Sequence, residues 1–527
     1  MDAIVVGAGF AGMYMAHKLR SNGMQVHGFE AGSDVGGTWY WNRYPGARCD
    51  VESMEYSYQF DEALQQEWTW TERYASQPEI LNYAGHVADR FDLRQLFRFN
   101  TAVVSATYDE AAARWTVTTD DGERTTGRHM IMATGCLSST NTPDIDGTDT
   151  FDGQVVHTGR WPKEGVELAN KRVGIIGTGS SGVQAIPLLA EEAGQLTVFQ
   201  RTAQYTIPAR NRPLEAAEID QVKTNYASFR AANNAMPGAY GSGYEAAQSR
   251  VLDTDPDDIA AELERRWQIG GTTFSWAFTD TARDRDANAV VAEFVRGKIA
   301  QIVTDPATAD LLSPHHVIGC KRLVVDTGYF ETFNRPNVKL VDVGSTPITA
   351  ITPDGVQVGD EVHHLDTLIF ATGFDAMTGS ILRVDITGRN GLALSEKWSA
   401  GPRTYLGLSV PGFPNLFMVS GPGSPSVLTN MIASIEQHVE WIAECISYLG
   451  ANGHSSIEAT EEAEIAWVDH VNSVADQTLY PSCNSWYLGA NVPGKTRVFM
   501  PLIGFPPYVR RCADVAAAGY EGFTLTA

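Results

Sequence analysis

Two copies of one glycine signature constrain this 527-residue chain more than any other feature. GAGFAG occupies residues 7–12 and GTGSSG occupies residues 177–182, each between a short apolar segment and a helix-like one. In such a strand, turn and helix unit, the glycines allow a tight turn and bring a pyrophosphate close to the N–H groups of the helix N-terminus. The sequence therefore predicts an α/β protein with two Rossmann-like dinucleotide-binding domains, which must bring two cofactors face to face.

The first signature has the features of an FAD site. Glu30 follows Gly12 by 18 residues and ends the second strand-like segment. A carboxylate at this place accepts hydrogen bonds from ribose hydroxyls, which suits the ADP half of FAD. The candidate FAD-binding residues of this unit are Gly7, Gly9, Gly12 and Glu30.

A segment dense in aromatic residues follows at residues 36–50, GGTWYWNRYPGARCD. Glycines at its start and a Pro-Gly turn indicate a loop shaped against a flat ring system. Asp50 ends the segment, and the residues alone leave it open whether this carboxylate caps a helix or acts in the site. The candidates that this region and the segment directly after it add to the FAD site are Gly37, Trp39, Asp50 and Tyr56.

The second signature differs at the position that corresponds to Glu30. Gln200 follows Gly182 by the same 18 residues, and Arg201 comes next. A carboxylate would repel the 2'-phosphate of NADPH, whereas an arginine pairs with it. The second site should therefore prefer NADPH to NADH, and its candidate residues are Gly177, Gly179, Ser180, Gly182, Arg201 and Thr202.

The pattern of segments divides the chain into two interleaved domains and an insertion. A polar, Ala-rich stretch with helical spacing, clearest at residues 258–268 and 288–302, interrupts the second dinucleotide-binding domain. The sequence after TLIFATG should rejoin the first domain. The predicted boundaries are 1–140 and 374–527 for the FAD-binding domain, 141–212 and 314–373 for the NADPH-binding domain, and 213–313 for the helical insertion.

The net charge of −24 limits the classes of partner. Nucleic acid and anionic lipid both need clustered cations, so an acidic chain argues against either partner. No apolar run is long enough to span a bilayer, and the N-terminus enters a strand without signal-peptide features. We expect a cytoplasmic protein with a small-molecule substrate, no nucleic-acid or membrane partner, and a monomeric or weakly homo-oligomeric state.

The six cysteines are scattered along the chain, without a C-x-x-C pair. This spacing argues against a disulfide framework, a zinc site and the redox-active pair of a flavin disulfide reductase. We therefore expect mostly inert thiols and no bound metal.

The segment between the two signatures, FDGQVVHTGRWP at residues 151–162, carries a family resemblance. It resembles the F-x-G-x-x-x-H-x-x-x-W-P fingerprint of the type I Baeyer-Villiger monooxygenases, with Phe151, Gly153, His157, Trp161 and Pro162 in place. His157 lies between the domains, and we expect it to be a hydrogen-bonded structural pivot rather than a base.

Other segments extend the resemblance over nearly the whole chain. Residues 37–50 are similar to the family pattern G-x-W-x-x-x-x-Y-P-G-x-x-x-D, and residues 320–335 and 485–495 are similar to its active-site and cofactor-loop segments. One departure is the N-terminus, which begins almost at the first strand and lacks the extension that many members have.

The resemblance implies an NADPH-dependent flavoprotein that uses O2 to insert one oxygen atom next to a ketone carbonyl, giving an ester or lactone through a C4a-peroxyflavin. Arg322 matches the family's catalytic arginine, and Asp50 matches the carboxylate that pairs with it. An anionic intermediate in a dry pocket needs a permanent cation, and arginine cannot lose its charge.

The resemblance also implies how NADPH is held. Lys321 and Arg201 match residues that grip the 2'-phosphate, with Thr202 beside them. Trp486 resembles an indole that bonds to the nicotinamide ribose from a mobile loop near residues 485–495.

Two other functions stay open at this point. An N- or S-oxygenating flavin monooxygenase would share both nucleotide sites, although such enzymes typically lack the Trp-Pro ending of the fingerprint. A redox-sensing protein would bind FAD and NADPH without turnover.

Overall fold

The N-terminal part of the chain alternates strands and helices as predicted. The computed structural model describes residues 1–489 and 501–527, apart from the side chain of Trp486. The elements up to residue 132 are β1 (Ala3–Val6), α1 (Phe10–Ser21), β2 (Val26–Phe29), α2 (Thr38–Trp41), α3 (Glu62–Glu67), α4 (Gln77–Arg90), β3 (Phe97–Arg98), β4 (Val103–Asp109), β5 (Arg114–Thr119), β6 (Arg124–Gly127) and β7 (His129–Met132).

The middle of the chain repeats this alternation and contains a run of helices. Before the run lie β8 (Gln154–His157), β9 (Arg172–Ile176), α5 (Ser180–Glu192), β10 (Gln195–Gln200) and β11 (Thr206–Pro208). The run comprises α6 (Ala216–Thr224), α7 (Tyr226–Asn234), α8 (Pro256–Ile269), α9 (Arg285–Ile302) and α10 (Pro306–Leu312). Helices α8 and α9 confirm the helical spacing predicted at residues 258–268 and 288–302.

After the insertion the chain forms mainly strands, some of which complete the second sheet. The C-terminal part contains long helices. After the insertion come β12 (Val324–Asp326), α11 (Tyr329–Thr332), β13 (Val338–Asp342), β14 (Ile348–Thr352), β15 (Gly355–Val358), β16 (Glu361–His364) and β17 (Thr367–Phe370). The last elements are α12 (Gly379–Leu382), β18 (Asp385–Thr387), α13 (Leu394–Lys397), β19 (Leu416–Met418), α14 (Met431–Ala451), β20 (Ser456–Ala459), α15 (Glu461–Ala475), α16 (Phe505–Ala517) and β21 (Phe523–Thr526).

The first sheet has five parallel strands in the order β19-β7-β1-β2-β3. All four residues of β1 are buried, as expected for a parallel strand that is covered on both faces. Helix α14 packs against α1 in the same hydrophobic core. Strand β19 and helix α14 therefore pack with the N-terminal elements in space.

The second sheet also has five parallel strands, in the order β13-β10-β9-β17-β8. Together the two sheets confirm the predicted α/β class with two Rossmann-like units. Strand β8 comes from the fingerprint segment and pairs with β17 at the edge of this sheet. The fingerprint segment is thus part of the second sheet and not a free spacer.

His157 ends β8 and joins three stretches of chain. Its Nδ1 accepts a hydrogen bond of 3.0 Å from the Gly159 N–H, and its Nε2 lies 3.4 Å from Thr372 Oγ1. The Thr372 hydroxyl donates to the Asn141 carbonyl at 2.6 Å. Burial lowers the pKa of His157, which favours the neutral ring. These contacts support a structural pivot rather than a base.

Among the described residues, no helix combines the length and the apolar character needed to cross a lipid bilayer.

One expectation drawn from the cysteine spacing is wrong. Cys320 and Cys483, 163 residues apart in sequence, form a disulfide with their Cα atoms 6.2 Å apart. The spacing argument considered only cysteines that are close in sequence, whereas folding brings two distant segments together here. The remaining four cysteines are buried free thiols, at Cys49, Cys136, Cys445 and Cys512.

A buried carboxyl group of the first domain is hydrogen bonded to the helical insertion. Glu55 is 5% exposed, and its Oε1 accepts a hydrogen bond of 2.7 Å from the Gly241 N–H of the insertion. Arg230, also in the insertion, donates to the Glu55 backbone oxygen at 2.9 Å. Burial, and then the Glu52 carboxylate, raise the pKa of Glu55 from 4.5 to about 8, although Arg230 and Arg73 oppose the shift. Between about pH 4.5 and pH 8, the folded protein therefore keeps a proton on Glu55 that an unfolded chain releases.

This proton should make the stability of the protein depend on pH. Because the folded pKa lies above the unfolded one, the stabilisation is complete below about pH 4.5 and is lost as the pH rises through about 8. Glu55→Gln keeps a neutral side chain with an acceptor oxygen at every pH. We expect the variant to lose less stability on going from about pH 6 to about pH 8.5, with a Tm roughly 1–3 °C above wild type at the higher pH.

Thermal unfolding followed by circular dichroism at several pH values measures this difference. Glu191→Gln, which removes an exposed carboxylate of α5, is the matched control and should leave the pH dependence of the Tm unchanged. Curves for wild type and Glu55→Gln that run parallel over the whole range would contradict the prediction.

Candidate active site

A single cavity of roughly 1540 Å³ reaches from the first glycine turn to the second. Pockets for one small molecule or cofactor are usually about 300–1,000 Å³. This cavity exceeds that range, as a site for two dinucleotides must. Arg322 and Asp50 line it together with both glycine turns.

The first glycine turn leaves no room for side chains. Gly7 has φ +104°, and a Cβ there would lie 2.6 Å from the Ala133 carbonyl oxygen. A Cβ on Gly12 would lie 1.8 Å from the Gly7 oxygen, and one on Gly9 would lie 3.3 Å from Gly37 Cα. The backbone therefore comes close to the cavity just where α1 begins, which fits the pyrophosphate of FAD.

Glu30 lies at the end of β2 and lines the cavity, as a ribose-binding carboxylate should. Its Oε2 accepts a hydrogen bond of 2.8 Å from the Ala8 N–H, and its Oε1 accepts one of 2.7 Å from the Gly32 N–H. Burial raises the pKa of Glu30, and these two hydrogen bonds oppose the rise. The carboxylate thus also fixes the glycine turn against the loop that follows β2.

The aromatic loop forms a wall of the same cavity. Gly37 has φ +54°, and a Cβ there would lie 2.8 Å from Gly9 Cα. Trp39 donates from Nε1 to the Tyr56 hydroxyl at 3.1 Å, and the two rings meet edge to face. All three residues line the cavity, so the structure brings the aromatic candidates together beside the first glycine turn.

The second glycine turn has the same construction as the first. Gly177 has φ +110°, and a Cβ there would lie 2.5 Å from the Ala371 oxygen. A Cβ on Gly182 would lie 2.2 Å from the Gly177 oxygen, whereas one on Gly179 would meet nothing within 4 Å. Ser180 begins α5 and lines the cavity. The open side at Gly179 and Ser180 fits a second pyrophosphate at the start of α5.

Two cationic side chains, Arg201 and Lys321, lie close together in this second site. Burial, and then the nearby Arg201, lower the pKa of Lys321. Arg201, Thr202 and Lys321 all line the cavity. No ion pair involves either cation among residues 1–489 and 501–527, so together they offer a place for an anion such as a phosphate. Gln200 instead turns away and donates from its amide to the Leu311 oxygen at 2.7 Å.

Arg322 and Asp50 form a two-pronged ion pair in the cavity. Arg322 Nε donates to Asp50 Oδ2 at 2.8 Å, and Nη2 donates to Oδ1 at 2.9 Å. The side chains are 27% and 22% exposed, respectively. Arg322 Nη1 donates to the Val427 carbonyl at 2.6 Å. Two stretches that are distant from Arg322 in sequence therefore hold its guanidinium, and Asp50 does not cap a helix.

Its surroundings keep this guanidinium charged. Burial lowers the pKa of Arg322, but the Asp50 carboxylate together with Tyr487 and Tyr240 more than offsets this effect, so the pKa lies above its ordinary value. Tyr487 is hydrogen bonded to Arg322, and burial raises the pKa of the phenol. The cavity thus contains a permanent cation with a neutral phenol beside it.

Sequence reasoning missed several groups that shape the site. The Val427 carbonyl carries no signal, because every residue has a backbone oxygen. Tyr487 directly follows Trp486 in the predicted cofactor loop and could have been found there. Tyr44 donates to Gln184 Oε1 at 2.8 Å, and Gln184 Nε2 donates to the Arg48 oxygen at 3.0 Å, so the aromatic loop also bonds to α5 of the other domain.

The predicted cofactor loop is described only at its beginning. The backbone of residues 486–488 forms a turn of 3-10 helix, and Asn484 and Ser485 line the cavity. The side chain of Trp486 and residues 490–500 lie outside the described part of the chain.

Comparison with known proteins gives matches over the whole length. A family model described as pyridine nucleotide-disulphide oxidoreductase matches residues 4–236, which include both glycine turns. A Baeyer-Villiger monooxygenase of Pseudooceanicola batsensis is 44% identical over 98% of this chain and 95% of that protein. Cyclohexanone 1,2-monooxygenase of an Acinetobacter species is 44% identical over 99% of this chain and 96% of that protein. Phenazine N-monooxygenase of Lysobacter antibioticus is 43% identical over 99% and 97%, respectively.

Solved structures agree closely with the fold. An oxidized steroid monooxygenase bound to NADP has a TM-score of 0.95 and 51% identity, covering 100% of this chain and 99% of that chain. The complex of OTEMO with FAD and NADP has a TM-score of 0.96 and 41% identity, with the same coverage.

Proposed function

The chain belongs to the Baeyer-Villiger monooxygenase family, and we propose that the cavity with Arg322 at its centre is where it carries out this family's reaction. The enzyme is NADPH-dependent and uses FAD and O2 to insert one oxygen atom next to a ketone carbonyl, giving an ester or lactone. When bound and reduced by NADPH, FAD supplies the activation of O2. The observation that carries the assignment is the guanidinium held by Asp50 in a cavity that both glycine turns line.

We propose that Arg322 is the catalytic cation. Asp50 and the Val427 carbonyl fix the plane of the guanidinium, while part of it stays exposed to the cavity. Negative charge develops on the carbonyl oxygen of the substrate as the new oxygen is added. A cation that is already fixed in place stabilises that charge without reorganising. Asp50 acts by holding the cation in place.

The nucleotide contacts are proposals of the same kind. The glycine turns and Glu30 suit FAD, with Gly37, Trp39 and Tyr56 beside its flavin end. Gly177, Gly179, Ser180 and Gly182 suit the pyrophosphate of NADPH, and Arg201, Thr202 and Lys321 suit its 2'-phosphate. We also propose the domain boundaries at residues 140, 212, 313 and 373. A cytoplasmic location and a monomeric or weakly oligomeric state stay predictions.

A ketone panel tests the reaction. Purified enzyme with FAD, NADPH and O2 should oxidise NADPH faster when cyclohexanone, acetone, cyclopentanone or a steroid ketone is added. Mass spectrometry should find a product 16 mass units heavier than at least one ketone, with about one product per NADPH. Only hydrogen peroxide across the whole panel would count against the proposal.

N-oxygenation is the second candidate. It is favoured by the 43% identity to a protein named phenazine N-monooxygenase. Phenazine, a tertiary amine and a thioether added to the panel separate the two activities, because an N-oxide or sulfoxide without any ester from ketones would indicate the second candidate. NADPH consumption in either case excludes a redox sensor without turnover.

A further inference from the structure

The disulfide joins two segments that both line the candidate site. Cys320 directly precedes residues 321–322, which include the catalytic candidate. Cys483 directly precedes residues 484–485, which line the same cavity from the start of the predicted cofactor loop. The covalent bond therefore lies between the cation and the segment that leads into the loop.

Buried side chains next to Arg322 connect the same two segments. Tyr487 is 4% exposed and is hydrogen bonded to Arg322. Its ring lies 5.7 Å from the ring of Tyr480, and it belongs to an apolar cluster that includes Val427. The rings of Tyr480 and Tyr487 thus form a wall beside the guanidinium, which we call the tyrosine wall.

Helix α9 and the turn that precedes it hold the neighbours of both segments without covalent bonds. The Asn288 amide donates to the Ile318 oxygen at 2.9 Å and accepts from the Ile318 N–H at 3.0 Å. The Leu479 N–H donates to the Ala282 oxygen at 2.8 Å. Such contacts open and close, whereas the disulfide keeps the two segments together when they open.

We propose that the Cys320–Cys483 disulfide positions the tyrosine wall against Arg322 for oxygen insertion, and that its reduction by a dithiol releases the wall. This inference rests on the proposed function of the site. With the wall released, less of the NADPH consumed leads to product, because the guanidinium and the substrate are held less closely.

The reductant should attack the more accessible of the two sulfur atoms of the disulfide. Cys320 is 2% exposed, whereas Cys483 is half-buried and meets solvent. A thiolate of the dithiol bonds to the Cys483 sulfur, and Cys320 leaves as a thiolate that takes up a proton. The second thiol of the reductant then forms a cyclic disulfide and releases Cys483 as a thiol, so two electrons pass to the protein.

Thiol counting tests whether the bond forms. Protein purified in air, denatured without reductant and treated with iodoacetamide should carry four adducts, on the free cysteines. After reduction it should carry six, and digestion without reductant should yield a linked peptide with Cys320 and Cys483. Six adducts without reductant would overturn the proposal.

The amount of product formed per NADPH consumed, which we call coupling, tests whether the disulfide positions the tyrosine wall. The protein is reduced with dithiothreitol and freed of it by anaerobic gel filtration, and Cys483→Ser is prepared alongside. For the best ketone of the panel, we expect product per NADPH to fall roughly 3- to 10-fold in both, within what a small misplacement can cost. Anaerobic reduction of FAD by NADPH should continue in both, which a general loss of structure would not allow.

Three comparisons make the outcome decisive. Reoxidation should restore wild-type coupling, dithiothreitol should not change Cys483→Ser, and Cys445→Ala, which removes a buried thiol of α14, should keep the response to reductant. Equal coupling in oxidised and reduced wild type, with product still formed, would overturn this inference alone. If no ketone reacted, the proposed function would fail. Because the bond also holds the segment that leads into the predicted cofactor loop, reduction should then still weaken the binding of NADP⁺, and an unchanged affinity for NADP⁺ would overturn the inference as well.

Discussion

Arg322→Ala is expected to abolish oxygen insertion while leaving the reduction of bound FAD by NADPH measurable. The guanidinium is the cation that Asp50 and the Val427 carbonyl orient in the cavity. Removing one preorganised electrostatic group commonly costs about 10²- to 10³-fold in rate. Hydride transfer from NADPH develops no carbonyl oxyanion, so it does not need this cation in the same way.

Two measurements separate these steps. Anaerobic mixing with NADPH, followed by flavin absorbance, reports reduction, and product mass analysis in air reports insertion. Asp50→Asn should also form less product than wild type, but more than Arg322→Ala. In this variant the guanidinium is still present, although it has lost its charged partner. Arg265→Ala, which removes an arginine that pairs with Glu262 in the insertion, is the control. Normal ester or lactone yield from Arg322→Ala would refute the catalytic role.

Arg201→Ala and Lys321→Ala are expected to weaken NADPH far more than NADH. In the proposed binding mode each cation would give charge-assisted hydrogen bonds to the 2'-phosphate, and loss of one such bond costs about 1.5–3 kcal/mol, roughly 10- to 100-fold in KM. NADH lacks this phosphate, so its KM should change little. Steady-state oxidation of both cofactors, with the best ketone present, gives the ratio of the two kcat/KM values.

The variant that combines Arg201→Ala and Lys321→Ala tests whether both cations bind the same phosphate. If both cations bind one phosphate, the two losses should not be additive, because neighbouring groups that share a partner are coupled. Arg335→Ala, at an exposed position of the same domain, should leave the preference for NADPH intact. An unchanged ratio in both single variants would show that the phosphate binds elsewhere.

Much of the fold could be predicted because its signals are local. The strands before each glycine turn, the helices after them and the helical insertion all leave a pattern in neighbouring residues. The pairing of Arg322 with Asp50 was available only through the family resemblance, since 272 residues separate them. The residues alone left Asp50 open between a helix cap and a role in the site, and the distances decide for the ion pair.

Other features could not be predicted because they depend on long-range packing. Gln200 was interpreted as the amide that replaces a ribose-binding acid, yet its side chain bonds to the Leu311 carbonyl. The Cys320–Cys483 disulfide joins residues 163 apart, and no spacing rule for near neighbours can detect it. The backbone oxygen of Val427 could be assigned only once the C-terminal part had been placed beside the cavity.

The position of β19 has a consequence for how the protein is made. Strand β7 ends at Met132, but its partner on the outer side is residues 416–418. At about 5–20 residues per second, a ribosome needs roughly 15 to 60 seconds to add the intervening 280 or so residues. During that time one edge of the nascent first sheet has no partner, and an unpaired apolar edge invites association with other chains. Conditions that slow translation between these strands should therefore lower the yield of soluble protein.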